Sequence, residues 1–173
     1  LSAETAAGDY PLEAVEIMDR ICRNVEQDDL YQKLMSADRP SVVTDPSDAI
    51  TSSAYHIAKQ IDAACIANFT SSGSTAQRAS RMRPSMPILT LSQHESTTRR
   101  LVLSYGVHAV HVRIVSSFAE SVKLACTFAY TEGLAQKDDR LVITAGVPFG
   151  KTGTTNSLRI ATAGKNLEFS QDS

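Results

Sequence analysis

Short apolar runs alternate with helix-like segments along most of the chain, and this alternation restricts the fold more than any other feature. Four such runs, 63–69, 87–91, 107–112 and 141–145, each follow a segment with helical spacing. The runs are nearly continuous in apolar residues, which indicates strands buried on both faces. The pattern predicts an α/β protein, a three-layer α/β/α sandwich around a mainly parallel sheet. The predicted helices cover residues 46–61, 75–82, 94–104 and 117–134.

A fifth strand, residues 157–163, follows the fourth without an intervening helix. A parallel crossover needs about a dozen residues or more, usually as a helix, so this strand is expected to be antiparallel. The sequence therefore predicts a five-stranded, mostly parallel sheet whose last strand runs the other way.

The first part of the chain reads as a separate element. Residues 11–25 carry apolar side chains at helical spacing with charges on the other face, Pro11 suits the first turn and Asp9 is a candidate cap. A polar connector, 26–45, follows, and Asp45-Pro46 is a good helix start. We expect one region over residues 1–35 and the main domain over residues 36–173.

Composition excludes several classes of function. The net charge of −2 and the absence of a basic run give no reason to expect nucleic acid or an anionic membrane as partner. No apolar run approaches the roughly 20 residues that span a bilayer. Cys22, Cys65 and Cys126 lack zinc spacing and lie in apolar stretches, so buried free thiols and a cytoplasmic location are expected.

A hydroxyl-rich segment follows the first predicted strand. Five hydroxyl residues and one glycine occupy 70–75, where a helix begins: Thr70, Ser71, Ser72, Gly73, Ser74 and Thr75. Ligands of open α/β sheets bind outside the carboxyl ends of strands, and helix N-termini suit phosphate. The alternative is a turn whose side chains only cap the helix. Composition leaves both open.

A glycine-rich segment, residues 146–156, follows the fourth strand. Its Gly-Lys-Thr triplet at 150–152 is not a P-loop, because Gly146 and Gly150 are separated by three residues where that motif has four. A strand rather than a helix also follows it. The pattern argues against nucleotide hydrolysis here and leaves a flexible glycine loop over an anion as the functional interpretation.

Catalytic constellations are missing from the sequence pattern. His108 and His111 lie three residues apart on one strand and so face opposite sides, which argues against a shared metal. Spacing indicates no nucleophile–base pair. The residues alone describe an anion-binding α/β domain rather than a self-sufficient enzyme.

Residues 1–11, L-S-A-E-T-A-A-G-D-Y-P, resemble the pyruvate kinase signature M-L-S-(G/A)-E-T-A-x-G-x-Y-P without its Met. Residues 70–75, followed by Arg81-Met82-Arg83-Pro84, look like the family's effector-phosphate loop and its sequel. Residues 153–156, G-T-T-N, look like its late effector loop. The likeness covers essentially the whole chain, which reads as a cut through a longer polypeptide: the last helix of a truncated TIM barrel and the C-terminal regulatory domain.

The resemblance implies an activity and its partners. Pyruvate kinases transfer a phosphoryl group from phosphoenolpyruvate to ADP with Mg²⁺ and usually K⁺, commonly as homotetramers controlled by phosphorylated effectors. Their catalytic residues belong to barrel strands outside this chain, so the fragment is expected to be inactive and to hold no cofactor itself.

The resemblance also implies the effector site. Besides residues 70–75, it assigns Lys151, Gly153 and Thr154 to effector binding. Ser121 stands near the position where fructose-bisphosphate-activated members tend to carry an arginine, and Lys123 is a substitute candidate. A sugar monophosphate or AMP is therefore favoured over fructose bisphosphate. Two alternatives remain: a structural assembly domain without an effector, and a stand-alone phosphosugar-binding protein.

Overall fold

The computed structural model describes residues 1–37, 45–148 and 154–164. The chain divides into two units, Leu1–Ser41 and Val42–Ser173. Each unit has its own helices, and the sheet belongs entirely to the second unit.

The first unit is helical. It contains α1 (Ala3–Ala6), α2 (Pro11–Glu26) and α3 (Asp29–Ala37). The predicted amphipathic helix is confirmed as α2, although Tyr10 rather than Asp9 occupies its N-cap. The expected polar connector is wrong over Asp29–Ala37, because this segment is amphipathic and forms a helix.

The apolar stripe of α2 is exposed. At least two-fifths of the surface of each of these side chains is accessible: Leu12, Val15, Ile17, Met18, Ile21 and Val25. Cys22 on the same helix is also exposed, so the prediction that it is buried is wrong. Cys65 and Cys126 are buried free thiols as expected.

The second unit contains the predicted alternation of helices and strands. Its elements in chain order are α4 (Pro46–Gln60), β1 (Cys65–Phe69), α5 (Ser74–Arg81), β2 (Ile88–Ser92), α6 (Glu95–Leu101), β3 (Val107–His111), α7 (Phe118–Thr131), β4 (Arg140–Gly146) and β5 (Thr155–Thr162). Each predicted helix and strand is present, with ends that differ by a few residues. The Asp45 side chain caps α4 by accepting a hydrogen bond from the Ser47 N–H at 3.0 Å.

The five strands form one sheet in the order β3-β2-β1-β4-β5. The first four are parallel, and β5 pairs antiparallel with β4, which confirms the predicted direction of the last strand. The chain adds β2 and β3 on one side of β1 and then returns to place β4 on the other side.

Side chains that alternate along the strands build two separate cores. Cys65, Ala67, Leu141 and Ile143 pack with α7, whereas Ile66 and Val142 pack with α4. Both faces of the sheet are therefore covered by helices, which gives the three-layer α/β/α sandwich.

Candidate phosphate-binding site

The hydroxyl-rich segment lies where the strand order of the sheet reverses. β1 and β4 are parallel neighbours, and the chain leaves β1 toward α5 on the face that also carries α4. The α7 connection into β4 covers the other face. In open α/β sheets such a switch point leaves a crevice outside the carboxyl ends of the two strands, where ligands bind.

A short turn connects β1 to α5. Thr70 Oγ1 accepts a hydrogen bond from the Gly73 N–H at 2.9 Å, which closes the turn. Gly73 is the N-cap of α5 and has φ +92°, a left-handed conformation that glycine adopts without strain. The Ser72 hydroxyl lies 3.2 Å from the Ser74 hydroxyl. The hydroxyls therefore shape the turn as well as lining it.

Several backbone N–H groups of this turn are unpaired. The N–H groups of Ser71, Ser72, Thr75 and Ala76 have no hydrogen-bond partner among the residues that the structure describes. The last two belong to the first turn of α5, where the helix dipole adds partial positive charge. Unpaired donors and neighbouring hydroxyls together favour an anion such as phosphate.

A buried hydroxyl pair joins the turn to the start of β5. Thr75 Oγ1 and Thr155 Oγ1 lie 2.7 Å apart, and both residues are buried. Thr154 directly precedes β5, and its carbonyl oxygen lies against Gly146, where a Cβ would approach it to 2.6 Å. The structure therefore brings the two predicted effector segments together at Thr75 and Thr155. Lys151 and Gly153 lie outside the described residues.

The Asn156 amide holds the two ends of the glycine-rich segment together. Its Nδ2 donates to the Val147 carbonyl at 2.7 Å, and its Oδ1 accepts from the Val147 N–H at 2.9 Å. The Val147–Pro148 peptide is cis. The two ends of the segment are thus joined at a common base beside the hydroxyl-rich turn.

Helix α6 supplies contacts to the turn that sequence reasoning missed. Thr97 Oγ1 donates to the Ser71 carbonyl at 2.9 Å, and Arg100 Nη2 donates to the Ser72 carbonyl at 2.7 Å. Gln93 Nε2 lies 3.5 Å from the Ser71 hydroxyl. The Thr97-Thr98-Arg99-Arg100 run was the available signal, but only the adjacency of β1 and β2 shows that this helix lies beside the turn.

A buried polar row crosses the sheet next to the turn. Thr90, Asn68 and Thr144 are register neighbours on β2, β1 and β4. Both amide atoms of Asn68 and the hydroxyl of Thr90 are buried, and none has a hydrogen-bond partner among the described residues. These groups therefore carry a desolvation cost that no described residue compensates.

Two arginines lie in the last turn of α5, Arg78 and Arg81. Arg78 donates to Asp48 and to Asp45, each at 2.8 Å. Arg81 lies 3.9 Å from Asp48 and is largely exposed. With Ser74 and Gln77, these arginines line a surface depression of about 390 Å³. Much of the positive charge there is therefore compensated by carboxylates.

Ser121, near which the family resemblance implies the site of a second sugar phosphate, is not accessible. Ser121 is fully buried in α7, and its hydroxyl donates to the Phe118 carbonyl at 2.7 Å. One residue before it, hydrogen bonds from the Ser116 N–H and hydroxyl lower the pKa of the Glu120 carboxyl, with Arg113 adding to the effect. The side chains of Glu120 and Ser121 are thus both used in hydrogen bonds at the N-terminus of α7.

His108 and His111 each contact a residue outside their own strand. His108 pairs with Glu132 at 2.9 Å, and His111 lies 3.2 Å from the Gln93 carbonyl oxygen.

Within the parts of the chain that the structure describes, no three His, Cys, Asp or Glu side chains are grouped to hold a metal ion. No helix in those parts is long and apolar enough to cross a membrane.

Comparison with known proteins identifies the fold that carries this site. Residues 48–161 match the family model described as the pyruvate kinase alpha/beta domain. The chain belongs to the pyruvate kinase family. A pyruvate kinase of Agrobacterium vitis is 41% identical over 164 residues, which are 95% of this chain and 35% of that protein. Another, from Geobacillus stearothermophilus, is 39% identical over 92% of this chain and 27% of that protein.

A solved structure agrees with these relatives. The crystal structure of a pyruvate kinase from Cryptosporidium parvum matches 94% of this chain with a TM-score of 0.80 and 28% sequence identity. The match covers 32% of that chain. This chain thus spans about a third of the length of the pyruvate kinases that it resembles.

Proposed function

We propose that this domain binds the phosphate of an allosteric effector of a pyruvate kinase at residues 70–75. The observation that carries the proposal is the set of unpaired N–H groups in a hydroxyl-rich turn at the switch point of the sheet. Four donors at one turn, two of them at a helix N-terminus, favour a group with several acceptor oxygens. A side-chain cap would accept from the N–H of Thr75 or Ala76, and α5 has no such cap bond.

The favoured effector is a sugar monophosphate or AMP. The turn offers donors for one phosphate, and Ser121, near the position considered for a second phosphate, is buried in its own helix. Thr154, with Lys151 and Gly153 from the same segment, supplies further polar contacts in this proposal. Thr75 links the turn to the start of β5 through the Thr155 hydroxyl.

Isothermal calorimetry tests the assignment directly. The chain is titrated with ribose 5-phosphate, glucose 6-phosphate, AMP and fructose 1,6-bisphosphate, first as wild type and then as Ser72→Ala and Ser74→Ala. One monophosphate should bind saturably, and each lost hydroxyl should weaken it by about 1–3 kcal/mol. Lack of binding by all four ligands to the folded chain would contradict the proposal.

We propose that the whole protein is a cytoplasmic pyruvate kinase that transfers phosphate from phosphoenolpyruvate to ADP. The family membership of the chain supports this activity. Phosphoryl transfer needs positioned cations, and Mg²⁺ and K⁺ would be held by parts of the enzyme outside this domain. The chain alone should therefore produce no pyruvate in an assay coupled to lactate dehydrogenase, whereas measurable turnover would contradict this division of roles.

Homotetramer assembly is a second proposed role of the same domain. β5 is an edge strand that pairs only with β4 in the described sheet, and it exposes Arg159 and Ile160. Open edges and exposed apolar side chains are common at subunit contacts. Light scattering on the chain and on its Ile160→Lys variant tests this role. A wild-type chain that stays monomeric at high concentration would argue against an assembly function.

A further inference from the structure

We infer that Thr97 and Arg100 of α6 are positioning residues, which together hold the turn so that the Ser72 N–H faces the effector phosphate. This inference rests on the proposed function of the turn and adds the part of the protein that sets its geometry. Neither residue belongs to the two segments that the sequence assigns to the site.

The peptide between Ser71 and Ser72 is oriented by α6. A trans peptide is planar, so its C=O and N–H point in opposite directions. Thr97 donates its hydroxyl hydrogen to the Ser71 carbonyl at 2.9 Å, which fixes that oxygen toward α6. The Ser72 N–H of the same peptide therefore points away from α6, and it has no partner among the described residues.

The next peptide, between Ser72 and Gly73, is fixed at both ends. Arg100 donates to the Ser72 carbonyl at 2.7 Å, and the Gly73 N–H donates to Thr70 Oγ1 at 2.9 Å. Gly73 also packs on α6, since a Cβ there would approach Leu101 and Thr97 to 3.2 and 3.3 Å. Two consecutive peptides of the turn are thus oriented by one helix.

The hydrogen bonds of Thr97 and Arg100 to the turn differ in burial. Thr97 is only 4% exposed, so its hydroxyl is shielded from water and would have no acceptor without the Ser71 carbonyl. Arg100 makes its bond at the surface, where its remaining guanidinium donors stay accessible. Thr97 therefore fixes the direction of the free N–H, and Arg100 adds a cation beside the same turn.

The adjacent residues of α6 provide matched controls. Thr98 donates its hydroxyl hydrogen to the Glu95 carbonyl of its own helix at 2.8 Å. Arg99 pairs with the Glu95 carboxylate at 2.6 Å. Substitutions at these two residues remove the same groups from the same helix without touching the turn.

The experiment uses the 173-residue chain, labelled with ¹⁵N, and follows the Ser72 amide during titration with inorganic phosphate and then ribose 5-phosphate. Wild type should show a saturable shift of this amide. Thr97→Val and Arg100→Met should weaken binding by about tenfold or more. Thr98→Val and Arg99→Met should bind as wild type does, and Thr97→Ser, which keeps the hydroxyl, should restore affinity.

The outcomes distinguish the inference from the function on which it rests. Binding that survives both Thr97→Val and Arg100→Met unchanged would overturn the positioning role and leave the effector site in place. Equal losses in Thr97→Val and Thr98→Val would reduce the effect to helix stability and overturn the inference as well. A wild-type chain that binds neither phosphate compound would overturn both.

Discussion

Burial divides the cysteine thiols into two chemical classes. Cys22 is exposed on α2, whereas Cys65 and Cys126 lie in the core on the α7 side of the sheet. Burial raises the pKa of the Cys65 thiol to about 12, with the neighbouring Cys126 and Asp139 adding to the effect. A thiol held protonated reacts slowly with electrophiles, because the thiolate is the nucleophile.

Alkylation should therefore stop at one thiol in the folded chain. At mildly alkaline pH we expect iodoacetamide to modify Cys22 quickly and to leave Cys65 and Cys126 unmodified until denaturant is added. Intact-mass spectrometry over a time course measures this directly. Rapid modification of Cys65 without denaturant would show that this core opens readily.

The unpartnered polar groups of Asn68 and Thr90 should limit the stability of the sheet. Replacing both with apolar side chains of similar size, Asn68→Leu with Thr90→Val, should raise the free energy of unfolding by roughly 1–3 kcal/mol. Urea unfolding followed by circular dichroism measures the change.

Asn156→Leu is the matched control for that pair. Its amide makes two hydrogen bonds to Val147, so the same replacement should lower rather than raise stability. A loss of stability in the Asn68 and Thr90 double variant would mean that those groups are satisfied in solution.

At the scale of elements, the α5 N-terminus depends on a glycine. Gly73→Ala forces a Cβ into a left-handed residue and against Leu101 and Thr97. The change should lower the free energy of unfolding by about 1–3 kcal/mol and displace the turn at residues 70–75. Urea unfolding and phosphate titration of the same variant measure both effects.

Gly133→Ala separates backbone strain from contact. Gly133 has φ +70°, but a Cβ there would meet no atom within 4 Å. Its stability loss should be smaller than that of Gly73→Ala, and phosphate binding should be unchanged. Equal losses of stability in the two variants would show that the contact of the new Cβ with α6 adds nothing to the cost of Gly73→Ala.

The helices and strands that could be predicted from the sequence are those with one clear pattern of apolar residues. The buried strands appear as continuous apolar runs, and the lack of a helix between β4 and β5 predicted their antiparallel pairing. Helix α3 was missed, because its charged and polar residues resemble those of a connector. Periodicity within a short mixed segment is a weak signal beside composition.

The candidate site was recovered only in part, for a related reason. Residues 70–75 are conspicuous because five hydroxyls occur together. The contacts of Thr97 and Arg100 join residues about thirty positions apart, and they depend on β2 lying beside β1. Strand order is a property of the whole sheet, so no local pattern contains it.

At the scale of the whole molecule, the two units should differ in their need for each other. Both apolar clusters of the sheet are built from residues within Val42–Ser173. Removing residues 1–41 should therefore leave the second unit folded, with a cooperative thermal transition and undiminished phosphate binding. Circular dichroism and calorimetry on the shortened chain measure both properties.

The same deletion also removes the exposed apolar stripe of α2. Its exposed side chains form a surface that soluble proteins usually cover. The shortened chain should accordingly be more soluble than the full one. Precipitation or unfolding of the second unit after the deletion would show that the first unit stabilises it.

The amide of Asn156 has a consequence for how domains of this kind diversify. One side chain bonds both main-chain groups of Val147, and so it ties the residue that follows β4 to the second residue of β5. A segment from another pyruvate kinase, of different length or charge, could be transplanted there without disturbing the sheet. If the segment contacts the proposed effector, ligand preference and fold stability would then evolve as independent traits.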